Sequence, residues 1–212
     1  PEVITSDLAP LALTLAQWGA GDAAAMAWLD PPPVAAMAAA TGALQALGAL
    51  DQEGRINAHG RAMARLPMEP ALAHMLLFAA ERGQADEAAQ LALLLQERGL
   101  GGRGEDLARR LDRWAGERGS RAEGSRKLAA RWAQMASKLA TRGKSVEVPL
   151  GALLAEAFPD RIARARGASG AAEAAVSGVE AGSGFFSSSK RPRKRDCVSW
   201  RSMAGGIGSG WL

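Results

Sequence analysis

The sequence predicts a mainly α chain, and three observations carry that reading. Ala and Leu dominate the composition while Tyr is absent, which favours helix over sheet. Apolar residues recur at helical spacing through most of the first 160 positions. A single short hairpin, Leu50 to Ile56, interrupts them. Hydrophobic residues make up 48% and charged residues 23% of the 212 positions, an ordinary balance for a chain that buries a core. The length suits one large domain or two to three small ones.

Taken in order, the first helix falls in SDLAPLALTLAQWG, with Leu8, Leu11, Leu15 and Trp18 on one face, Ser6 or Asp7 as cap and Gly19 as stop. A short second helix is expected in GDAAAMAWLD, capped by Asp22 and ended near Pro31. A third starts at the prolines of PPPVAAMAAATGALQALG, where missing N–H groups cost little, and ends at Gly48. Its apolar face is expected to carry Val34, Met37, Leu44 and Leu47. Leu50 and Ile56 then flank a polar turn containing Gly54. Three helices and a hairpin are the outline of a winged-helix domain, an outline shared with many small helical domains.

After Pro70 the chain reads as helices again. Leu72, Met75, Leu76 and Ala79 form one apolar face, and DEAAQLALLLQERG is apolar enough to be central. GLGGRG is a break. Leu107, Leu111 and Trp114 mark the next helix, and Leu128, Trp132, Met135 and Leu139 the one after, with Ser125 as its expected cap. The last helix stops before Pro159. From about Gly167 onward Gly, Ser and Ala dominate without period, around a basic run at Lys190–Arg195. Such a stretch buries too little apolar surface to offset its ordering entropy, so it is expected to be disordered.

Several function classes fail on composition. No apolar run reaches the roughly 18 residues of a membrane span, and no basic start followed by an apolar stretch marks a signal peptide. One cysteine, Cys197, permits no internal disulfide, so a cytoplasmic location is expected. Pro1 in place of an initiator Met suits a processed product or a fragment. Gly143–Lys144–Ser145 ends like a phosphate-binding loop, but the Gly required five residues before the Gly-Lys pair is Lys138. Two histidines, His59 and His74, and one distant cysteine do not make a zinc site. Both histidines read as packed or surface residues rather than catalytic ones. Trp18, Trp28, Trp114 and Trp132 read as core packing. No catalytic, cofactor-binding or metal-binding residue is assigned.

Charge is distributed unevenly. Residues 1–97 carry 4 Lys/Arg against 11 Asp/Glu, residues 98–144 carry 13 against 5, and residues 145–212 carry 9 against 6. A basic segment beside an acidic one suggests an anionic partner for the basic part. A solvated arginine-rich helical surface gives the same pattern.

The stretch GALDQEGRINAHGRAMARLPMEPALAHMLL, Gly48 to Leu77, resembles the winged-helix to ratchet junction of DEAH-box-type helicases. Gly48, Leu50, Gly54, Gly60, Met63, Ala64, Pro67, Pro70, Leu72, Met75 and Leu76 fall in register with that family's pattern. Asn57 stands where the pattern has Thr and retains the ability to cap the following helix. In the resemblance, Gly60 lets the chain turn into that helix, and Pro67 and Pro70 end it and start the next. WLDPPP at Trp28–Pro33 resembles the F-L-D-P-P segment of the same proteins. GGRGEDLARRL and AFPDRIARARG are similar to signatures of the bacterial HrpB subfamily of ATP-dependent RNA helicases, with Phe158 in place of the usual Tyr. PEVITSDLAPLAL resembles the segment after the last motor motif. The resemblance covers about residues 1–167.

The resemblance implies a winged-helix-like domain over 1–67, a helical ratchet bundle over 68–145, the start of a C-terminal region over 146–167, and a low-complexity tail over 168–212. The abrupt change after Gly167 suggests a frameshift. It also implies an accessory part of a helicase whose ATP and Mg belong to RecA-like motor domains; no cofactor is expected in this chain. Expected partners are those motor domains and single-stranded RNA, bound weakly and in a salt-sensitive way, with no membrane. Arg109, Arg110, Arg113, Arg126, Lys127, Arg131 and Lys138 are the candidate backbone contacts. A helical adaptor that binds a protein partner is the alternative. A winged-helix regulator of DNA is disfavoured because residues 33–47 contain no Lys or Arg.

Overall fold

A computed structural model of the chain describes residues 7–20, 26–104, 106–141, 143–163 and 175–176. Among the described residues there are eight α-helices, and the chain divides into two compact units. The first, Pro1–Arg103 with Ala108–Asp160, contains nearly all the helical packing.

Helix α1 (Ala9–Trp18) opens with Pro10 in its first turn, and the Asp7 carboxylate accepts the Ala9 N–H at 2.9 Å. Gly19 closes it in the left-handed region at φ 75°, which a side chain would strain. The second helix expected at residues 21–30 lies partly outside the described residues, and its described half, Met26–Asp30, is not helical. Helix α2 (Val34–Ala46) packs on α1 through Ala40 and Leu44. Val34, expected on the buried face, is 80% exposed.

The hairpin is one antiparallel bridge between Leu50 and Ile56. Its turn is held by Asp51, whose carboxylate accepts the backbone N–H groups of Glu53 and Arg55 and the Arg55 Nε at 2.9 Å. These bonds hold the Asp51 carboxyl below its ordinary pKa, the Arg55 side chain contributing most. Gly54, at φ 78°, supplies the left-handed residue of the turn. Helix α3 (Ala58–Met63) follows at once, and Asn57 caps it by accepting the Gly60 N–H at 2.9 Å. The same side chain donates to the Gly48 carbonyl at 2.8 Å, tying the entry of α3 to the exit of α2. Gly60 does not turn the chain; it lies inside α3. A Cβ there would collide with the Ala49 carbonyl and come within 2.8 Å of Ile56, so the requirement is close approach.

Helix α4 (Pro70–Glu81) begins on Pro70 and packs on α3, α5, α7 and α8. Leu72, Met75, Leu76 and Ala79 are fully buried, as their spacing predicts. Helix α5 (Ala85–Gln96) is the central element, with Leu91, Ala92, Leu93 and Leu94 all enclosed. Helix α6 (Leu107–Gly116) buries Trp114, and α8 (Leu150–Ala157) buries Leu153, Leu154 and Ala157.

Helix α7 (Ser120–Leu139) differs from expectation in two ways. It starts five residues before Ser125, which is buried within the helix rather than capping it. Its packed face is Ala122, Ser125, Ala129, Trp132, Ala133 and Ala136, while Leu128, Met135 and Leu139 are only half-buried. Small residues let the α7 backbone approach α5 closely, so the leucines sit at the shoulder of the contact.

In the second unit, β1 (Ile162–Ala163) pairs antiparallel with β2 (Ala175–Val176), Ile162 opposite Val176. The rest of the tail expected over 168–212 lies outside the described residues, as do Cys197 and the basic run at Lys190–Arg195.

Candidate nucleic-acid interface

The seven predicted cations divide into two groups. Lys127, Arg131 and Lys138 are exposed on α7. At i, i+4 and i+11 they fall on one side of the helix, the side away from the alanine face, and span about 16 Å of its axis at 1.5 Å per residue. Among the described residues, none of the three has a hydrogen-bond or ion-pair partner.

Three of the others are engaged with backbone. Arg126 Nη1 donates to the carbonyls of Trp114 and Glu117, both at 3.0 Å, at the C-terminal end of α6. A guanidinium there satisfies acceptors that the helix itself leaves open. Arg110 donates to the Leu100 carbonyl through Nε and Nη2, and Arg113 Nη2 to the Arg103 carbonyl at 3.1 Å. The loop they hold passes through Gly99, Gly101, Gly102 and Gly104, all at positive φ. Gly101 is obligatory for a second reason: a Cβ would strike the Arg110 carbonyl. Burial, and then the charge of Arg113, lowers the Arg110 pKa. Arg109 is exposed on α6 and is not without a partner.

Gly143–Lys144–Ser145 has a structural role. The Gly143 N–H donates to the Glu81 carbonyl at 3.0 Å and Val146 N–H to the Arg82 carbonyl at 3.2 Å, so this segment straps the C-terminal end of α4.

A second surface lies between α1, α2 and the hairpin. There an open groove of about 900 Å³ is lined by Leu15, Trp18, Trp28, Met37, Leu50 and Ile56, among others. Trp18 is 72% exposed at this groove, contrary to the core position its spacing predicts, whereas Trp114 and Trp132 are buried as expected. Trp28 is half-buried.

The two histidines, 15 residues apart, meet. His59 Nε2 and His74 Nδ1 are 2.8 Å apart, with the ring planes at 90°. Glu156 Oε2 on α8 is 3.6 Å from His74 Nε2. Among the described residues, no group of three His, Cys, Asp or Glu is arranged to hold a metal ion, and no helix is long and apolar enough to cross a membrane.

Residues 43–68, which run from the end of α2 through the hairpin and α3, match the family model of the winged-helix helicase-associated domain HA2. With the helical bundle that follows, this defines the class: the chain is homologous to the helicase-associated region of ATP-dependent RNA helicases. More particularly, it is similar to the C-terminal region of HrpB-type helicases. It is 40% identical to the Escherichia coli ATP-dependent RNA helicase HrpB over 174 residues, 80% of this chain and 20% of that protein. Against the fission yeast (Schizosaccharomyces pombe) pre-mRNA-splicing helicase prp22 the identity is 34%, over 53% of this chain and 10% of the relative. Two crystal structures of Escherichia coli HrpB align over 82% of this chain and 20% and 21% of theirs, with TM-scores of 0.63 and 0.64 and identities of 37% and 38%. The chain therefore spans about a fifth of the HrpB length.

Proposed function

We propose that this chain is the accessory part of an ATP-dependent RNA helicase that contacts single-stranded RNA through α7 and couples it to RecA-like motor domains. The observation that carries this reading is the stripe of Lys127, Arg131 and Lys138, exposed in register and without acidic partners among the described residues. Cations in this arrangement neutralise phosphates irrespective of base, so binding is weak, sequence-tolerant and reduced by salt. Arg109, Arg110, Arg113 and Arg126 widen the positive field around the stripe, and three of them shape the ends of α6. The motor domains would seat on the apolar groove that exposes Trp18, and ATP and Mg would be held by them rather than by this chain.

The test is a fluorescence-anisotropy titration of labelled oligouridine against the full chain at several salt concentrations. Binding is expected at low salt. Neutralising all three cations (K127Q/R131Q/K138Q) is expected to weaken it and to lower the slope of log K against log salt by about 2, at roughly 0.7 per contact for a single strand. No binding by the wild-type chain at the lowest salt would overturn the reading. The exposed groove also favours a second reading, a non-catalytic helical adaptor for a protein partner. Capture of a partner in the absence of motor domains, abolished by W18A and untouched by the triple substitution, would favour the adaptor.

A further inference from the structure

We infer that His59, His74 and Glu156 form a proton-operated clasp that fastens α3 to α4 and α8 and loosens when both imidazoles are protonated. The clasp does not depend on RNA binding.

The geometry requires one donor and one acceptor. At 2.8 Å, His59 Nε2 and His74 Nδ1 share a single hydrogen, so one of the two nitrogens must be bare. The Glu156 carboxylate, 3.6 Å from His74 Nε2, favours a proton on that nitrogen. His74 Nδ1 is then the acceptor and His59 Nε2 the donor. A first added proton leaves this intact, because a cationic ring still faces a neutral one across one N–H···N bond. A second puts N–H against N–H, with two cations whose ring centroids are 5.0 Å apart. Glu156 balances only one of those charges. Burial, and then the neighbouring His74, holds His59 below its ordinary value, in keeping with a pair that resists the second proton.

Among the described residues, no further hydrogen bond or ion pair reaches either ring. On α3 the other charged side chain, Arg61, is spent on the Ile56 carbonyl at 2.9 Å. On α4, Glu81 at the far end pairs with Arg82. From α8 the facing group is Glu156. Neither α1, α5 nor α7, which also pack on α4, contributes an ion pair or hydrogen bond to either ring among the described residues. Among the described residues, the other polar ties at the entry of α3 run to the end of α2, through the Asn57 N–H to the Ala49 carbonyl and the Asn57 side chain to the Gly48 carbonyl, and not to the bundle. Releasing the clasp leaves Met63, one turn further on, as the buried apolar anchor of that face of α3. The clasp thereby spans the junction between the winged-helix match and the bundle.

The test is amide hydrogen exchange of the full chain at pH 7.5 and 5.0, corrected for intrinsic rates, with α5 amides as internal reference. The Arg61 and Ala64 amides, which donate to the Asn57 and Gly60 carbonyls, are expected to lose protection relative to α5 by about tenfold, the factor that losing one hydrogen bond supplies. In His59→Gln the side-chain amide still donates to His74 but takes no proton, and the ratio should stay within about twofold. A wild-type ratio that does not change with pH, or an equal loss in His59→Gln, would overturn the clasp. If that variant does not fold, imidazole ¹⁵N shifts of the wild-type chain decide. Two separated titration steps support coupling, with the lower step falling in pH when Glu156→Gln removes the negative charge that balances the pair. Two overlapping, independent titrations overturn it.

Discussion

The side-chain amide of Gln84 grips the Val148 peptide from both sides. Val148 N–H donates to Oε1 at 2.6 Å and Nε2 donates back to the Val148 carbonyl at 3.3 Å, across 64 residues of sequence. One side chain thereby completes both hydrogen-bonding groups of a buried strap residue that has no strand beside it. Gln84→Ala leaves both unmade and is expected to cost about 1–3 kcal/mol. Urea denaturation gives the total, and faster exchange at the Val148 amide locates it.

Asn57 serves α3 twice, as N-cap and as donor to Gly48. Asn57→Ala should destabilise by about 1–2 kcal/mol, the usual cost of a lost cap with a further bond removed. Asn57→Thr restores the cap oxygen without the amide donor, so its melting temperature should fall between the two.

Gly60→Ala is expected to be worse than its small volume suggests. The new methyl meets the Ala49 backbone, which has no rotamer to yield. A loss of about 1–3 kcal/mol, as for overpacked sites, should appear in denaturant midpoints with an unchanged m-value.

Arg126 and Arg131 should separate under mutation although the sequence presents them alike. Arg126→Ala strips two acceptors at the end of α6 and is expected to cost about 1–3 kcal/mol of stability. Arg131→Ala should leave the denaturation midpoint almost unmoved and weaken RNA binding. Paired urea and anisotropy measurements on each variant check both halves.

Stability should also depend on pH through His59. Its folded-state pKa is depressed below the ordinary 6.5, so the unfolded chain binds more protons as the medium acidifies. The contribution is complete above about pH 6.5 and is lost as pH falls toward the folded value. Urea midpoints measured from pH 7.5 to 5 should decline more steeply for the wild type than for His59→Gln.

Much of this architecture is legible in the sequence, for reasons that differ by element. Helices α4 and α5 are enclosed on most sides, so nearly every apolar residue in them is buried and periodicity cannot mislead. The Leu50–Ile56 bridge follows from its turn chemistry. Trp18 misleads because helical spacing assigns a face but not a neighbour to cover it. On α7 hydrophobicity points to Leu128 and Met135, while close approach to α5 selects alanines, whose size rather than polarity decides the contact. The seven cations are legible as a basic block only. Whether a guanidinium turns toward a carbonyl or toward solvent depends on where α6 ends. The His59–His74 pair is invisible for the same kind of reason: nothing local links residues on two helices.

The alanine face of α7 has a consequence on the opposite side. Backbone held against α5 by methyl groups has little room to roll or slide. The intervals from Lys127 to Arg131 and from Arg131 to Lys138, about 6 and 10 Å along the axis, are therefore set by the helix and not by loop motion. Such a helix is a graduated rule: an anionic polymer bound to it as proposed would have to adjust its own spacing to the marks, and most of the ordering on contact would fall to the polymer.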